Sequence, residues 1–247
     1  MTIYPDGGIK RVRLFGRRAP SYDIPLVLPE PKSTTSDLPA PFLCVCPSKP
    51  AITVPVLPLT RAAFSPFGYT IEAHDDPRTW HPSIQHKTVN FGSAEKYCDV
   101  AQIETLKTPT GVEPKSNLCI FSAQPWPETI GGEGNRRWKL KGLERHAYSS
   151  QSFLPLASNK EVSGLGSYLV VVGYDNGDGK PDWKNLRAFL AQADQGISYK
   201  PNTWHAPLIA IKEPMNFACI VNETGIPEFD CELVECGGEE VVCELNQ

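Results

Sequence analysis

The chain has 247 residues, with 24 lysines and arginines against 28 aspartates and glutamates, a net charge of -4. That length can bury a substantial core as one large β domain or two small ones, and one domain plus a tail is the preferred division. The one basic run, Lys10 to Arg18, is too small a footprint for phosphate backbones, so nucleic acid is excluded as a partner. No stretch approaches the roughly 18 apolar residues of a membrane span, and nothing at the N-terminus reads as a secretory signal, so a soluble, cytoplasmic protein is expected. In that setting the eight cysteines are expected as reduced thiols.

Residues 1–50 carry many prolines, the run Ser33-Thr34-Thr35-Ser36 and no hydrophobic period, so burial offsets the entropy of ordering them poorly. They are expected to form a disordered or extended arm before one domain over residues 51–247. Order begins near Ile52, with Val54, Val56 and Leu59. Thr60 suits the cap of a single helical turn, which Pro66 and Gly68 close before a strand from Tyr69 to Ala73. Asn90 to Leu106 reads as mixed strand and turn, and Lys107 to Lys139 as loop around a strand from Leu118 to Gln124. Pro125 to Arg137 reads as an insertion. In the strand that holds Glu144-Arg145-His146, residues two apart share a face, so Glu144 and His146 point together and Arg145 points away. Tyr168 to Val172 is a buried strand, and Asp175 to Pro181 is a cluster of turn residues.

One helix is expected next, capped by Asp182, with Trp183, Leu186, Phe189, Leu190 and Ala193 at three-and-four spacing and an end at Gly196. Gly196, Pro201 and Asn202 then punctuate a turn that presents Trp204 and His205 at the head of a buried run, Leu208 to Ile211. A histidine there is placed for chemistry; the bland alternative is a satisfied core histidine beside a packing tryptophan. A last core strand, Met215 to Val221, precedes an acidic, cysteine-bearing tail from Glu228 to Gln247. Many short strands between Pro and Gly turns make an all-β barrel or jelly roll, with one or two short helices, the expected architecture.

Glu144 and His146, then Gln151, then His205 far downstream follow the order in which a cupin-like β-barrel draws ligands from two separated motifs. Two imidazoles, a carboxylate and an amide oxygen suit a divalent ion such as nickel, manganese, iron or zinc, and nothing in them chooses one. The alternative is a hydrogen-bonded polar pocket floor without metal.

Several segments resemble the ureidoglycolate lyase family, also called ureidoglycolate hydrolases. They are Pro58-Leu59-Thr60-Arg61-Ala62-Ala63-Phe64-Ser65-Pro66-Phe67-Gly68, Leu143-Glu144-Arg145-His146 with Ser150-Gln151-Ser152-Phe153-Leu154-Pro155-Leu156, and Leu186-Arg187-Ala188-Phe189-Leu190. The fourth is Gln195-Gly196-Ile197-Ser198-Tyr199 with Trp204-His205-Ala206-Pro207-Leu208. The similarity runs from about Ile52 to Leu233. Gly92-Ser93-Ala94-Glu95-Lys96-Tyr97-Cys98-Asp99 departs from the Gly-Thr-Ala and Arg-Phe-His-Asp type sequence common in relatives. The arm and the Pro125 to Arg137 insertion also fall outside the compact family pattern.

The resemblance implies a cupin-like barrel, often a homodimer, that acts as a carbon-nitrogen lyase of the amidine-lyase class. It would split ureidoglycolate into glyoxylate and urea in allantoin and purine breakdown. Ureidoglycolate is a carbinolamide, so cleavage needs a base for the hydroxyl proton, an acid for the departing ureido nitrogen and a cation for the carboxylate. His205 and His146 suit the acid and base roles, because imidazole titrates near neutral pH. Lys200, from the turn before His205, is the preferred cation and Arg61 the other, while Ser150, Tyr199 and Trp204 are candidates for lining the substrate. Two rivals stand beside this reading: a barrel that binds a small molecule without turnover, and another small-acid cupin enzyme such as an isomerase or dioxygenase.

Overall fold

The computed structural model describes residues 51–72, 84–131, 134–156, 167–237 and 240–246. The expected arm over 1–50 and the end of the strand expected to reach Ala73 lie outside them. One compact unit spans Lys49–Gln247.

The fold is an all-β barrel of two curled sheets. The smaller runs β2 (Gly68–Ile71), β12 (Gly196–Tyr199), β9 (Gln151–Pro155), β15 (Met215–Glu223) and β5 (Lys115–Ala123). The larger runs β16 (Glu232–Glu235), β8 (Gly142–Arg145), β13 (Trp204–His205), β10 (Ser167–Gly173), β11 (Arg187–Gln192), β1 (Ile52–Pro58), β17 (Val241–Leu245), β7 (Arg136–Lys139) and β6 (Thr129–Ile130). β14 (Ile209–Ile211) also pairs with β10. β3 (Gln85–Val89) and β4 (Ala94–Cys98) pair as a separate ribbon.

Alternation along β10 shows how the layers are held. Tyr168, Val170 and Val172 enter the core between the sheets with Phe153, Ile197, Tyr199 and Phe217. Leu169 and Val171 face a second core with Trp138, Trp204, Ile209, Val241 and Cys243. β10 is therefore dry on both faces, as its unbroken apolar run required. Thr60 caps the helical turn α1 (Arg61–Phe64), its hydroxyl accepting from the Ala63 amide at 3.3 Å.

Four expectations are corrected. The helix from Asp182 to Gly196 is instead a 3-10 turn, Trp183–Asn185, capped by Asp182 and followed by β11. In β11, Phe189 and Ala191 enter the first core while Ala188 and Leu190 face the second. Apolar residues on both faces of a buried strand mimic helical spacing, and pairing with β10 and β1 decides between them. The tail from Glu228 contributes α2 (Pro227–Asp230), β16 and β17, with Val241 and Cys243 fully buried. The stretch Pro125 to Arg137 carries β6 and the start of β7, which extend the larger sheet beside β17. His205 does not head the Leu208 to Ile211 strand; it lies on β13, and both β13 and β14 pair with β10. Cys98, Cys119, Cys219, Cys231 and Cys243 are free thiols.

Candidate active site

Strand register builds the site. β13 lies between β10 and β8, placing His205 opposite Val172 on one side and Glu144 on the other. Gln151 opens β9 in the facing sheet, opposite Tyr199 of β12. His146 follows the last residue of β8, where its carbonyl accepts the Asn202 amide at 2.8 Å. The expected alternation holds: Arg145 turns to the other side, over the Trp204 ring at 4.4 Å, and pairs with Asp175 at 2.9 Å and Glu232 at 2.7 Å.

Glu144, His146, Gln151 and His205 converge. The ligating atoms of Glu144, His146 and His205 all lie within 4.8 Å of one another. His205 Nε2 is 3.6 Å from Glu144 Oε1 and 3.2 Å from Gln151 Oε1. The two imidazoles stack at 5.6 Å between centroids, and Tyr199 stacks on His205 at 3.9 Å.

The two histidines are held differently. His205 Nδ1 donates to the Thr203 carbonyl at 2.8 Å, and its Nε2 faces the two oxygens of Gln151 and Glu144. His146 Nδ1 donates to the Asp230 carbonyl, leaving Nε2 buried without a hydrogen-bond partner among the described residues. A buried polar atom left unpartnered is costly and calls for an explanation.

Electrostatics separate the roles further. Burial alone would raise the Glu144 carboxyl, but the His205 hydrogen bond and the charges of His205 and His146 bring it below the usual carboxylate range. Burial, then the neighbouring His205, pushes His146 below the ordinary histidine range, against the pull of Glu144. Glu144 is thus ionised and His146 neutral at neutral pH. The Tyr199 phenol is driven well above its ordinary value, chiefly by burial.

The remaining candidates sit elsewhere. The Lys200 ammonium donates to the Ser65 carbonyl at 2.7 Å and lies over the Tyr69 ring. Ser150 Oγ accepts the Glu104 amide at 2.9 Å, tying down the preceding loop. Trp204, next to His205 on a strand, faces the second core. Arg61 opens α1 and is half-buried. The segment Gly92 to Asp99 lies mainly on the separate ribbon, where Glu95 takes the Thr88 hydroxyl and pairs with His86.

Sequence reasoning missed Asp230 and Cys231. Cys231 Sγ lies 3.9 Å from Glu144 Oε2, and burial, then Glu144, pushes the thiol up to about 12. No local pattern announces them, because they arrive through the pairing of β16 with β8.

Bare His146 Nε2, His205 Nε2 and the Glu144 carboxylate are donors that fit a divalent ion. No helix among the described residues is long and apolar enough to cross a membrane.

Comparison with known proteins gives a consistent result. The family model described as ureidoglycolate lyase matches residues 51–243. A ureidoglycolate lyase of Schizosaccharomyces pombe is 29% identical over 177 residues, 71% of this chain and 87% of that protein. One from Brucella anthropi is 34% identical over 173 residues, covering 70% of this chain and 84% of its own. One from Saccharomyces cerevisiae is 33% identical over 189 residues, 73% of this chain and 92% of its own.

Proposed function

The chain belongs to the ureidoglycolate lyase family, and we propose that it cleaves ureidoglycolate to glyoxylate and urea at the cluster of Glu144, His146, Gln151 and His205. The observation that carries the site assignment is the bare, buried Nε2 of His146 beside the His205 and Glu144 pair. Groups whose surroundings give them different proton affinities divide acid and base work between them.

His146, kept neutral, is the base. It takes the hydroxyl proton; the O–H electron pair becomes the carbonyl of glyoxylate, and the C–N bond breaks towards nitrogen. His205 is the acid, because a protonated Nε2 has Gln151 and Glu144 to hold it until the ureido nitrogen takes its proton. One proton is gained and one given, so the site resets by returning a proton from His146 to His205. Glu144 stays ionised throughout and orients His205. Lys200, by leaving the Ser65 carbonyl, or Arg61 supplies the cation for the substrate carboxylate, and Tyr199 forms the wall behind His205.

A second reading follows from the donor set: Glu144, His146 and His205, with Gln151, would hold a divalent ion. Such an ion would supply Lewis acidity towards the substrate carboxylate and hydroxyl. Incubation with ureidoglycolate, following urea and glyoxylate with and without chelator, tests both readings. Formation of both products that survives chelation supports the acid and base assignment; a loss reversed by one divalent ion gives the histidines to the metal. No turnover under either condition leaves a binding barrel.

The cupin relationship and the place in allantoin breakdown belong to the same proposal, as does a cytoplasmic location, with which the free thiols agree. So does a homodimer. Leu118 and Ile120 of β5 are 69% and 65% exposed on a strand whose outer edge has no partner among the described residues. A second copy would cover them. Light scattering at micromolar concentration should give twice the 27.2 kDa chain mass.

A further inference from the structure

Three consecutive residues from the end of α2 grip three consecutive residues at the end of β8. The Asp230 carbonyl accepts from His146, the Cys231 thiol approaches Glu144, and the Glu232 carboxylate pairs with Arg145. Asp230 is itself clamped. Its Oδ1 accepts the Thr224 amide at 2.6 Å and the Thr224 hydroxyl at 2.7 Å, and its Oδ2 accepts the Gly225 amide at 2.8 Å. The Asp230 amide donates to the Ile226 carbonyl at 3.0 Å, and Phe229 packs edge-on against Tyr148, two residues beyond His146.

A carbonyl can only accept a hydrogen bond, so the ring nitrogen facing it must carry the hydrogen. In a neutral imidazole the other nitrogen is then bare. In a free histidine the two neutral forms compete, and the Nε2–H form would leave nothing at Nε2 to accept a proton. The orientation of one backbone carbonyl therefore decides whether His146 can act. That carbonyl is oriented by the side chain of its own residue, through the turn that comes after β15.

We propose that Asp230 is a positioning residue: its carboxylate locks the Thr224-Gly225 turn so that its carbonyl holds His146 with the hydrogen on Nδ1 and Nε2 bare towards the site. The proposal deepens the reading of His146 as the base and rests on it for its catalytic consequence. Its structural half stands alone, because the tautomer can be read without any assay of turnover.

The test uses the full chain with 15N-labelled histidine side chains. In the parent protein His146 should show the Nδ1–H pattern. Asp230→Ala, which removes three acceptor contacts, should move His146 to a mixture of tautomers and lower kcat on the order of tenfold to a hundredfold, with KM little changed. Asp230→Asn keeps an oxygen for Thr224 and should restore most of both. Thr224→Val removes the hydroxyl's contacts to Asp230 and to Ile226 but leaves both amide contacts to the carboxylate, and should give a smaller shift in the same direction even if Asp230→Ala fails to fold. A His146 tautomer unmoved in folded Asp230→Ala, or in Thr224→Val, overturns the proposal. So does a kcat that stays at the parent value after the tautomer has moved. If the parent chain does not turn over ureidoglycolate at all and the tautomer still moves, the lock stands and the reading of the reaction fails.

Discussion

The two faces of β8 and β13 are built from neighbouring residues yet serve opposite ends. Towards the second core, Arg145 lies over Trp204 with a carboxylate on either side, so its charge is paired and its plane is packed. Towards the first core, one residue away on each strand, Glu144 and His205 meet His146, and His146 Nε2 has no hydrogen-bond partner among the described residues. The charges of the outer face are paired and its rings packed, so that face is structural. The inner face keeps a buried imidazole nitrogen whose lone pair can take a proton, and it is there that the reaction is proposed. Strand alternation alone separates them, so substitutions on the two faces should give opposite phenotypes.

The largest effect is expected inside. His205→Ala and His146→Ala should each lower turnover on the order of a hundredfold to ten-thousandfold, far more than loss of folded protein explains, although removing the buried, hydrogen-bonded His205 should itself cost on the order of 1–3 kcal/mol. A histidine with a packing role alone would show a similar cost in stability, on the order of 1–3 kcal/mol, with activity falling only as protein unfolds. Thermal melts beside steady-state rates distinguish the two. Outside, Trp204→Ala should cost on the order of 3–5 kcal/mol in denaturant unfolding, because a fully buried indole leaves a cavity. Its protein should keep kcat near the parent value wherever it is folded. A Trp204→Ala protein that is stable but inactive would join the two faces into one site.

Lys200→Met should raise KM several-fold and change kcat less, since the ammonium is proposed to hold the substrate carboxylate. Unchanged kinetics would leave the carboxylate to Arg61. The smallest effect is the pH dependence of stability. Glu144 and His146 both take up a proton less readily folded than unfolded. The unfolded chain therefore binds more protons between the folded and unfolded values of each group, and stability falls as pH drops. The loss should begin near pH 6.5, where unfolded His146 titrates, and deepen through the carboxylate range as Glu144 is protonated. Melting temperature against pH should flatten in a Glu144→Gln, His146→Asn double variant.

Much of the inner face was legible beforehand. Glu144 and His146 two apart, Gln151 close behind and His205 after a Pro-Asn turn are local patterns, and strand alternation carries them to one place. The failures share a cause. β11 has apolar residues on both faces because it is buried on both, and periodicity cannot separate that from a helix. β16 and β17 read as a tail because their partners lie at β8 and β1, far away in sequence, and an acidic strand looks like solvated chain until a basic partner such as Arg145 is known. Asp230 was hidden for the same reason. Its contribution to His146 passes through a backbone carbonyl, which every residue has.

β1 changes partner halfway along. Ile52 to Pro55 run parallel to β17, and Val56 to Pro58 run parallel to β11. On a ribosome, the first of the described strands to emerge must wait with one flank uncovered until the other described strands have been made, because its mate is the last of them. Loop closure over so long a span is slow, and the exposed edge invites wrong pairing meanwhile. A nascent chain halted before Val241 should therefore bind holding chaperones and yield to protease, whereas one extended past Leu245 and clear of the exit tunnel should resist both.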